Sequence, residues 1–382
     1  MENKTKSNLL VKALYIHIPF CDHICIYCDF YKMIGSPTKQ DKYVDYLVKE
    51  IDLRKEYLSS IETIYVGGGT PSNLSINNIK KLFDKLSEYI DLSKLKEFTF
   101  ECNPNDVSIE LLNTLKSYYV NRISLGVQSF NNDKLTFLRR NHTKDIAINA
   151  IRLIKEVGFS KISCDLIYGL DFDSVDLIKK DLDTLINENV THISCYTLII
   201  EDKTILNHFI HFDYKPLSDD KEAEIFGFVN DYLRKFGYNH YEVSNYALPT
   251  HESIHNLHYW DLDEYIGIGA NASGFIYHTH YTNINNLDKY YEGIDKMNLC
   301  YKEENTLTKS EEMDEYLMVG FRKLEGISKN IFKNRFNCDI IKEYPNIINL
   351  INQGYLEETK ENIKIREDYI YLMDNILLKI FN

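Results

Sequence analysis

No stretch of the chain approaches the roughly 18 consecutive apolar residues that a membrane-spanning helix needs, so an integral helical membrane protein is excluded. Positive charge is the next shortage. The 44 lysines and arginines face 57 acidic residues, a formal net charge of -13, which argues against a protein that grips nucleic acid by its phosphates. Tryptophan occurs once against 29 tyrosines, a compositional bias with no site attached. There is no internal repeat and no low-complexity linker. The start, MENKTKSNLLVKALYIHIPF, has Lys4, Lys6 and Lys12 but only short apolar runs before Pro19 and no small-residue cleavage site, so it does not read as a signal peptide and a cytoplasmic location is expected. A disulfide framework is also missing: Cys102, Cys164, Cys195, Cys300 and Cys338 are scattered without repeated spacing and read as reduced, mostly buried thiols.

What is present is enough chain, 382 residues, for one large α/β domain and a smaller one. Six β-rich runs punctuate the first half: LYIHI (14–18), TIYVGG (63–68), EFTFEC (97–102), RISLGVQS (122–129), KISCDLIYG (161–169) and HISCYTL (192–198). Helical periodicity fills the gaps, as in 41–58, 75–90 and 145–158. Strands alternating with helices imply βα units and a parallel sheet, with strands apolar on both faces. Polar residues gather at or after the strand ends, namely Gly68, Gly69, Thr70, Glu101, Gln128 and Asp165. That edge is where parallel α/β folds build chemistry.

The same edge holds CDHICIYCDF (21–30), with Cys21, Cys25 and Cys28 in one short loop. A closed structural metal site takes four ligands, so a trio leaves one position open. Three thiolates can hold three irons of a 4Fe-4S cluster and leave the fourth iron for an outside ligand, such as the amino and carboxylate groups of S-adenosylmethionine. The competing reading is a zinc knuckle completed by His17 or His23, although zinc sites usually show paired CxxC units. GGGTP (67–71) follows the second strand, where amides freed of side chains can approach a charged ligand.

The CxxxCxxC spacing after a strand ending in Ile-Pro-Phe, with Tyr27 before the last cysteine, resembles the radical SAM superfamily. YIHIPFCDHICIYCDF, GGGTPS, ECNP (101–104), GVQSF (126–130), LRRNHT (138–143) and DLIYGL (165–170), in this order, resemble its coproporphyrinogen III dehydrogenase-like group over nearly the whole chain. The resemblance implies a partial (β/α)6 TIM-like barrel with a C-terminal helical and winged accessory domain. It also implies Cys21, Cys25 and Cys28 on cluster iron, and Tyr15, Gly68, Gly69, Thr70, Glu101, Gln128, Arg140 and Asp165 on S-adenosylmethionine. Domains are expected at 1–215 (the barrel), 216–304 (a barrel extension) and 305–382, where Thr308 to Glu311 fits a capping box and 354–367 reads as a wing. With so acidic a balance, the wing suits packing or a lid better than DNA.

Within the group, the dehydrogenase carries another cysteine two positions after the third cluster cysteine, where this chain has Phe30, and a long N-terminal segment, where thirteen residues precede Leu14. Both departures favour the group's heme-chaperone branch over oxygen-independent coproporphyrinogen III dehydrogenase. So does HNLHYW (255–260), which fits that branch's HNxxYW pattern. The resemblance then implies heme as a third cofactor, with His255 as its ligand and Asn256, Tyr259 and Trp260 shaping the pocket. It implies delivery to heme-accepting proteins, membrane cytochromes among them, and a flavodoxin or ferredoxin as reductant. A local alternative is that His251, His255 and His258, at helical i, i+4 and i+7, form a polar face or a metal patch. GIGANASGF (267–275) lacks the third glycine of a dinucleotide loop and reads as a tight turn.

Overall fold

Each of the six β-rich runs becomes a strand, and each pairs in parallel with the next: β1 (Ala13–Ile18), β2 (Thr63–Gly68), β3 (Glu97–Cys102), β4 (Arg122–Gln128), β5 (Lys161–Tyr168) and β6 (His192–Thr197). The structure is a computed structural model and describes residues 10–210 and 216–381. Helices α1 (Pro37–Leu53), α2 (Ile76–Ser87), α3 (Ile109–Ser117), α4 (Lys144–Val157) and α5 (Val175–Asn187) alternate with the strands. The sequence makes these helices locally. In α4, Thr143 accepts a hydrogen bond from the Ile146 amide, Ala147, Ala150, Ile151 and Ile154 form a buried stripe, and Gly158 ends the helix at a φ of 94°.

The strands depart from one expectation. Their outer faces, for example Leu14, Ile16, Ile64, Val66, Phe98 and Phe100, are buried under the helices, but the inner faces are polar. Thr63, Glu97, Thr99, Ser124, Ser163, His192 and Ser194 are all buried on that inner side. A parallel barrel with a solid core would want branched apolar residues there, whereas this one surrounds a cavity of about 300 Å³. Polar inner faces are what such a cavity requires.

The sheet does not close. Beyond β6 lie β7 (Asn239–Glu242) and β8 (Asn245–Ala247), reached through helix α6 (Asp219–Lys235), with β8 antiparallel to both neighbours. The short helix α7 (Ile254–Trp260) follows. On the other side of β1 the sheet continues through a parallel β9 (Tyr265–Ile268) into antiparallel β10 (Ser273–Ile276), β11 (Thr279–Asn283) and β12 (Tyr301–Thr306). The full strand order is β12-β11-β10-β9-β1-β2-β3-β4-β5-β6-β8-β7. GIGANASGF forms the expected turn between β9 and β10: a side chain at Gly267 would meet the Ser273 carbonyl oxygen, and Gly269 sits at a φ of 103°.

One buried network ties this extension to the barrel. Arg54 donates to Glu50 and to Asn283, each at 3.0 Å, while Glu50 also accepts from the Gly269 amide at 2.8 Å and the Tyr290 hydroxyl at 2.6 Å. The Arg54 guanidinium also lies 4.7 Å from the centre of the Tyr281 ring.

Helix α8 (Lys309–Gly320) opens with the expected capping box, Thr308 with Glu311. It packs with the later helices around a second apolar cluster that includes Leu317, Phe321, Phe332, Ile347 and Ile363. The wing is β14 (Leu356–Glu358) against β15 (Asn362–Ile365), which also pairs with β13 (Ile327–Ser328). No described helix is long and apolar enough to cross a membrane.

Arg54 and Glu50 are both fully buried, so Arg54→Met would strand a carboxylate in the core. Urea unfolding should show a loss of about 3–5 kcal/mol; a loss below about 1 kcal/mol would mean that the network does not hold the extension.

Candidate cluster and nucleotide site

β1 ends at Ile18, and Pro19 and Phe20 lead directly into the cysteine loop. The loop is closed by a short pairing of Phe20 and Cys21 with Met33 and Ile34, and Lys32 donates to the Cys28 carbonyl at 2.5 Å. A small apolar cluster supports it from outside: Ile26 packs with Leu138, Leu170 and Leu206, and the Leu206 amide donates to the Ile26 carbonyl at 2.9 Å. Cys21, Cys25 and Cys28 line one cavity. Among the described residues, no set of three or more His, Cys, Asp or Glu side chains converges as a single metal ion requires. The ring of His17 is taken by Tyr15 and by the Tyr31 carbonyl, so it is not free to complete a four-ligand site with the three thiols. Burial pushes the Cys21 thiol up to about 11 and Cys28 upward too, so taking up iron would release their protons.

The polar strand ends meet at the same cavity. Gly68, Gly69, Thr70, Glu101, Gln128, Arg140 and Asp165 all line it with the three cysteines. Gly68 has a φ of 116°, and a side chain on Gly69 would come within 3.0 Å of Cys21 Sγ and 2.9 Å of the Phe20 carbonyl oxygen. The glycines therefore let β2 pass tightly under the cysteine loop. Thr70 donates its hydroxyl to Cys21 Sγ at 3.4 Å. Gln128, a non-glycine residue with a φ of 69°, follows a register shift in the pairing of β4 with β5, which turns its side chain to the cavity. Arg140 is held by Asn103 and the Gly126 carbonyl, each at 2.7 Å, and reaches Cys25 Sγ at 3.4 Å. Its buried Nε has no partner, a donor suited to a ligand carboxylate.

Tyr15 and the HNLHYW residues lie elsewhere. Tyr15 lies three positions before the end of β1, its hydroxyl is 3.0 Å from His17 Nδ1, and it is not among the residues lining the cavity. His255 stands at the opposite end of the barrel. Its Nδ1 is 2.9 Å from the Thr63 hydroxyl, its Nε2 is 2.9 Å from the Tyr259 hydroxyl, and burial lowers its pKa to about 3. Asn256 lines the barrel cavity, while Tyr259 and Trp260 line a separate aromatic cleft with Tyr265 and His280. His251, the third member of the helical histidine pattern, precedes the Ser253 cap of α7 and lies outside the helix.

Residues 15–185 match the family model of the radical SAM superfamily, and residues 307–367 match the HemN C-terminal domain. The heme chaperone HemW of Lactococcus lactis is 38% identical over 372 residues, 96% of each chain. That of Bacillus subtilis is 34% identical over 92% of this chain and 94% of its own. Those matches decide the family. The chain belongs to the HemW family of radical SAM proteins. Coproporphyrinogen III oxidase (HemN) from Escherichia coli shares the fold, with a TM-score of 0.85 over 98% of this chain and 91% of its own, at 20% identity.

Two cavity features of this HemW-family chain escape a reading of the motifs. Tyr65, one turn of the pleat before the glycine triplet, donates to Glu101 at 2.7 Å, and Asn103 holds Arg140. The inward period of β2, shared by Tyr65 and Gly67, is the signal for the first; for the second it is the place of Asn103 inside ECNP, two residues after Glu101. Phe30 lines both the cysteine cavity and the barrel cavity, so the two are neighbouring chambers with a shared wall.

Burial raises the Glu101 carboxyl from 4.5 to about 7 and Asp165 to about 6. A carboxyl whose folded pKa lies above its unfolded one favours the fold while protonated. The ligand-free chain should therefore lose roughly 3 kcal/mol of stability at Glu101 as pH rises from below 4.5 to above about 7. Glu101→Gln should flatten that part of the slope in anaerobic urea titrations between pH 5 and pH 8; parallel profiles for variant and parent would show an ionised Glu101 throughout.

Proposed function

We propose that this chain is a heme chaperone, which binds heme and passes it to heme-requiring proteins, and that its strand-end cavity holds a 4Fe-4S cluster with S-adenosylmethionine. The observation that carries the reading is the end-to-end match to heme chaperones, 38% identical over 96% of both chains, which extends through the HNLHYW segment. Phe30, in place of the dehydrogenase's further cysteine, supports it.

Cys21, Cys25 and Cys28 would hold the cluster, whose chemistry when bound is one-electron reduction of a sulfonium. The chain's own groups bind and orient the nucleotide. Arg140, through its free Nε, takes the methionyl carboxylate, and the backbone at Gly68 and Gly69 leaves room for the amino group. Glu101 and Asp165 accept from ribose hydroxyls or the ammonium, with Tyr65 fixing the Glu101 rotamer. Phe30 and Tyr27 border both the site and the barrel cavity beside it. The protein recipients, membrane cytochromes among them, and a flavodoxin or ferredoxin donor belong to the same reading.

The test is anaerobic. The chain with reconstituted cluster is titrated with heme, and separately incubated with reductant, S-adenosylmethionine and coproporphyrinogen III. Saturable heme binding near one per chain with no protoporphyrinogen IX is expected. Catalytic formation of protoporphyrinogen IX would replace the chaperone reading with coproporphyrinogen decarboxylation.

A further inference from the structure

β4 does not run out straight. Its last residue, Gln128, has a φ of 69°, and the Ser129 amide donates back to the Val127 carbonyl at 2.9 Å. A hydrogen bond across a single residue whose φ is about +75° is the rare and strained form of γ-turn. A residue other than glycine persists there only where its surroundings hold it.

The turn aims a side chain. Gln128 lines both the cysteine cavity and the barrel cavity. A side chain at Gly126 would come within 3.1 Å of the Gln128 carboxamide nitrogen and 3.5 Å of Arg140 Nη2, so the carboxamide and the guanidinium approach each other over the bare backbone of Gly126.

Two buried groups hold the turn from outside. Before it, the Val127 carbonyl also accepts from His142 Nε2 at 3.0 Å. After it, Asp181 of α5 accepts from the Ser129 hydroxyl at 2.6 Å through one carboxylate oxygen and from the Phe130 amide at 2.8 Å through the other. The Ser129 oxygen accepts in turn from the Asn131 amide at 3.0 Å. Asp181 is 2% exposed and shares the buried face of its helix with Ile178, Leu182 and Leu185. A carboxylate on such a face is costly unless it is hydrogen-bonded. Among the described residues no cation lies in ion-pair range of it, and Lys134 is taken by Asp173 at 2.6 Å. Both oxygens of Asp181 are spent on the turn.

We propose that Asp181 is a positioning residue for nucleotide binding: by gripping Ser129 and Phe130 it fixes the γ-turn at Gln128, which sets the carboxamide beside Arg140 as a donor and acceptor for S-adenosylmethionine. The inference rests on the reading of the strand-end cavity as the S-adenosylmethionine site. Released from Asp181, the turn can relax to an extended conformation that carries the carboxamide off Gly126. The cysteine loop is left in place, since the bonds of Asp181 go to Ser129 and Phe130.

The experiment is equilibrium dialysis of labelled S-adenosylmethionine against the anaerobic, cluster-bearing chain, with iron content and the urea midpoint measured on every variant. Asp181→Ala should weaken binding about five-fold or more, as expected where residues in contact act as a unit. Asp181→Asn, which keeps an acceptor for the Phe130 amide, should restore part of that loss. Ser129→Ala cuts the same contact more mildly, should weaken binding in the same direction, and serves where Asp181→Ala does not fold. In a Gln128→Ala background, itself weaker in binding, neither substitution should cost more than about two-fold further, because the residue they position is gone. Parent-like affinity in Asp181→Ala, or in Ser129→Ala where the former does not fold, would overturn the assignment while nucleotide binding by the parent stands. So would a full further loss on top of Gln128→Ala. A parent chain that binds no S-adenosylmethionine would overturn the nucleotide reading itself.

Discussion

Glu97 begins β3 with its carboxylate fully buried, and the nearest cation, Arg122, stays 3.9 Å away. Its charge is instead met by the start of α7. Glu97 accepts from the Ser253 hydroxyl at 3.2 Å and from the amides of Ile254 at 3.1 Å and His255 at 3.2 Å. These are the unpaired donors that every helix leaves at its first turn, and the helix dipole favours an anion there. A buried carboxylate without such partners would cost several kcal/mol, so the HNLHYW helix is drawn under the barrel and held there. The Thr63 hydroxyl on His255 fastens the same helix to β2. The motif's histidine is therefore part of the barrel floor.

With the floor closed, the chamber among the polar inner faces communicates with the strand C-terminal edge, where the cysteine loop lies. The same constraint explains the backbone there. β2 must pass close beneath the loop, which leaves no room for side chains on Gly68 and Gly69: one on Gly68 would come within 2.6 Å of the His17 ring. Gln128 takes a left-handed conformation that costs of order 1 kcal/mol or more, sustained by the surrounding strands. Strain at this edge is affordable because the outer faces of the same strands carry the main apolar core.

The barrel was legible in the sequence because its signals are local. Each strand is a short β-branched run, each helix brings its own cap, and the cysteine spacing and glycine triplet lie within a few residues of the strands they follow. That ten of the cavity-lining residues could be named from motifs reflects the same fact, since parallel strands place successive C-terminal ends along one edge. The inner faces were harder. Tyr65 and Ser124 look like ordinary strand residues, and only the position of the sheet around a cavity gives them a polar setting. The setting of His255 was hidden for a related reason: Glu97, which accepts from its backbone amide, and Thr63, which meets its ring, are both more than a hundred residues away in the chain.

The two ends of the barrel are joined by β1 and by one chain of hydrogen bonds. Tyr15 borders the aromatic cleft of Tyr259 and Trp260, its hydroxyl meets His17 Nδ1 at 3.0 Å, and His17 Nε2 meets the Tyr31 carbonyl, at the close of the cysteine loop, at 2.9 Å. Burial lowers His17 to about 4, so the imidazole is neutral at ordinary pH and the chain carries no charge. The Tyr15 hydroxyl is held by burial far above its usual range, which rules out its ionisation as well. What spans the barrel is therefore a fixed row of dipoles on a central strand, walled by Gly68 on one side and by α7 on the other. Such a row positions the cysteine loop relative to the floor.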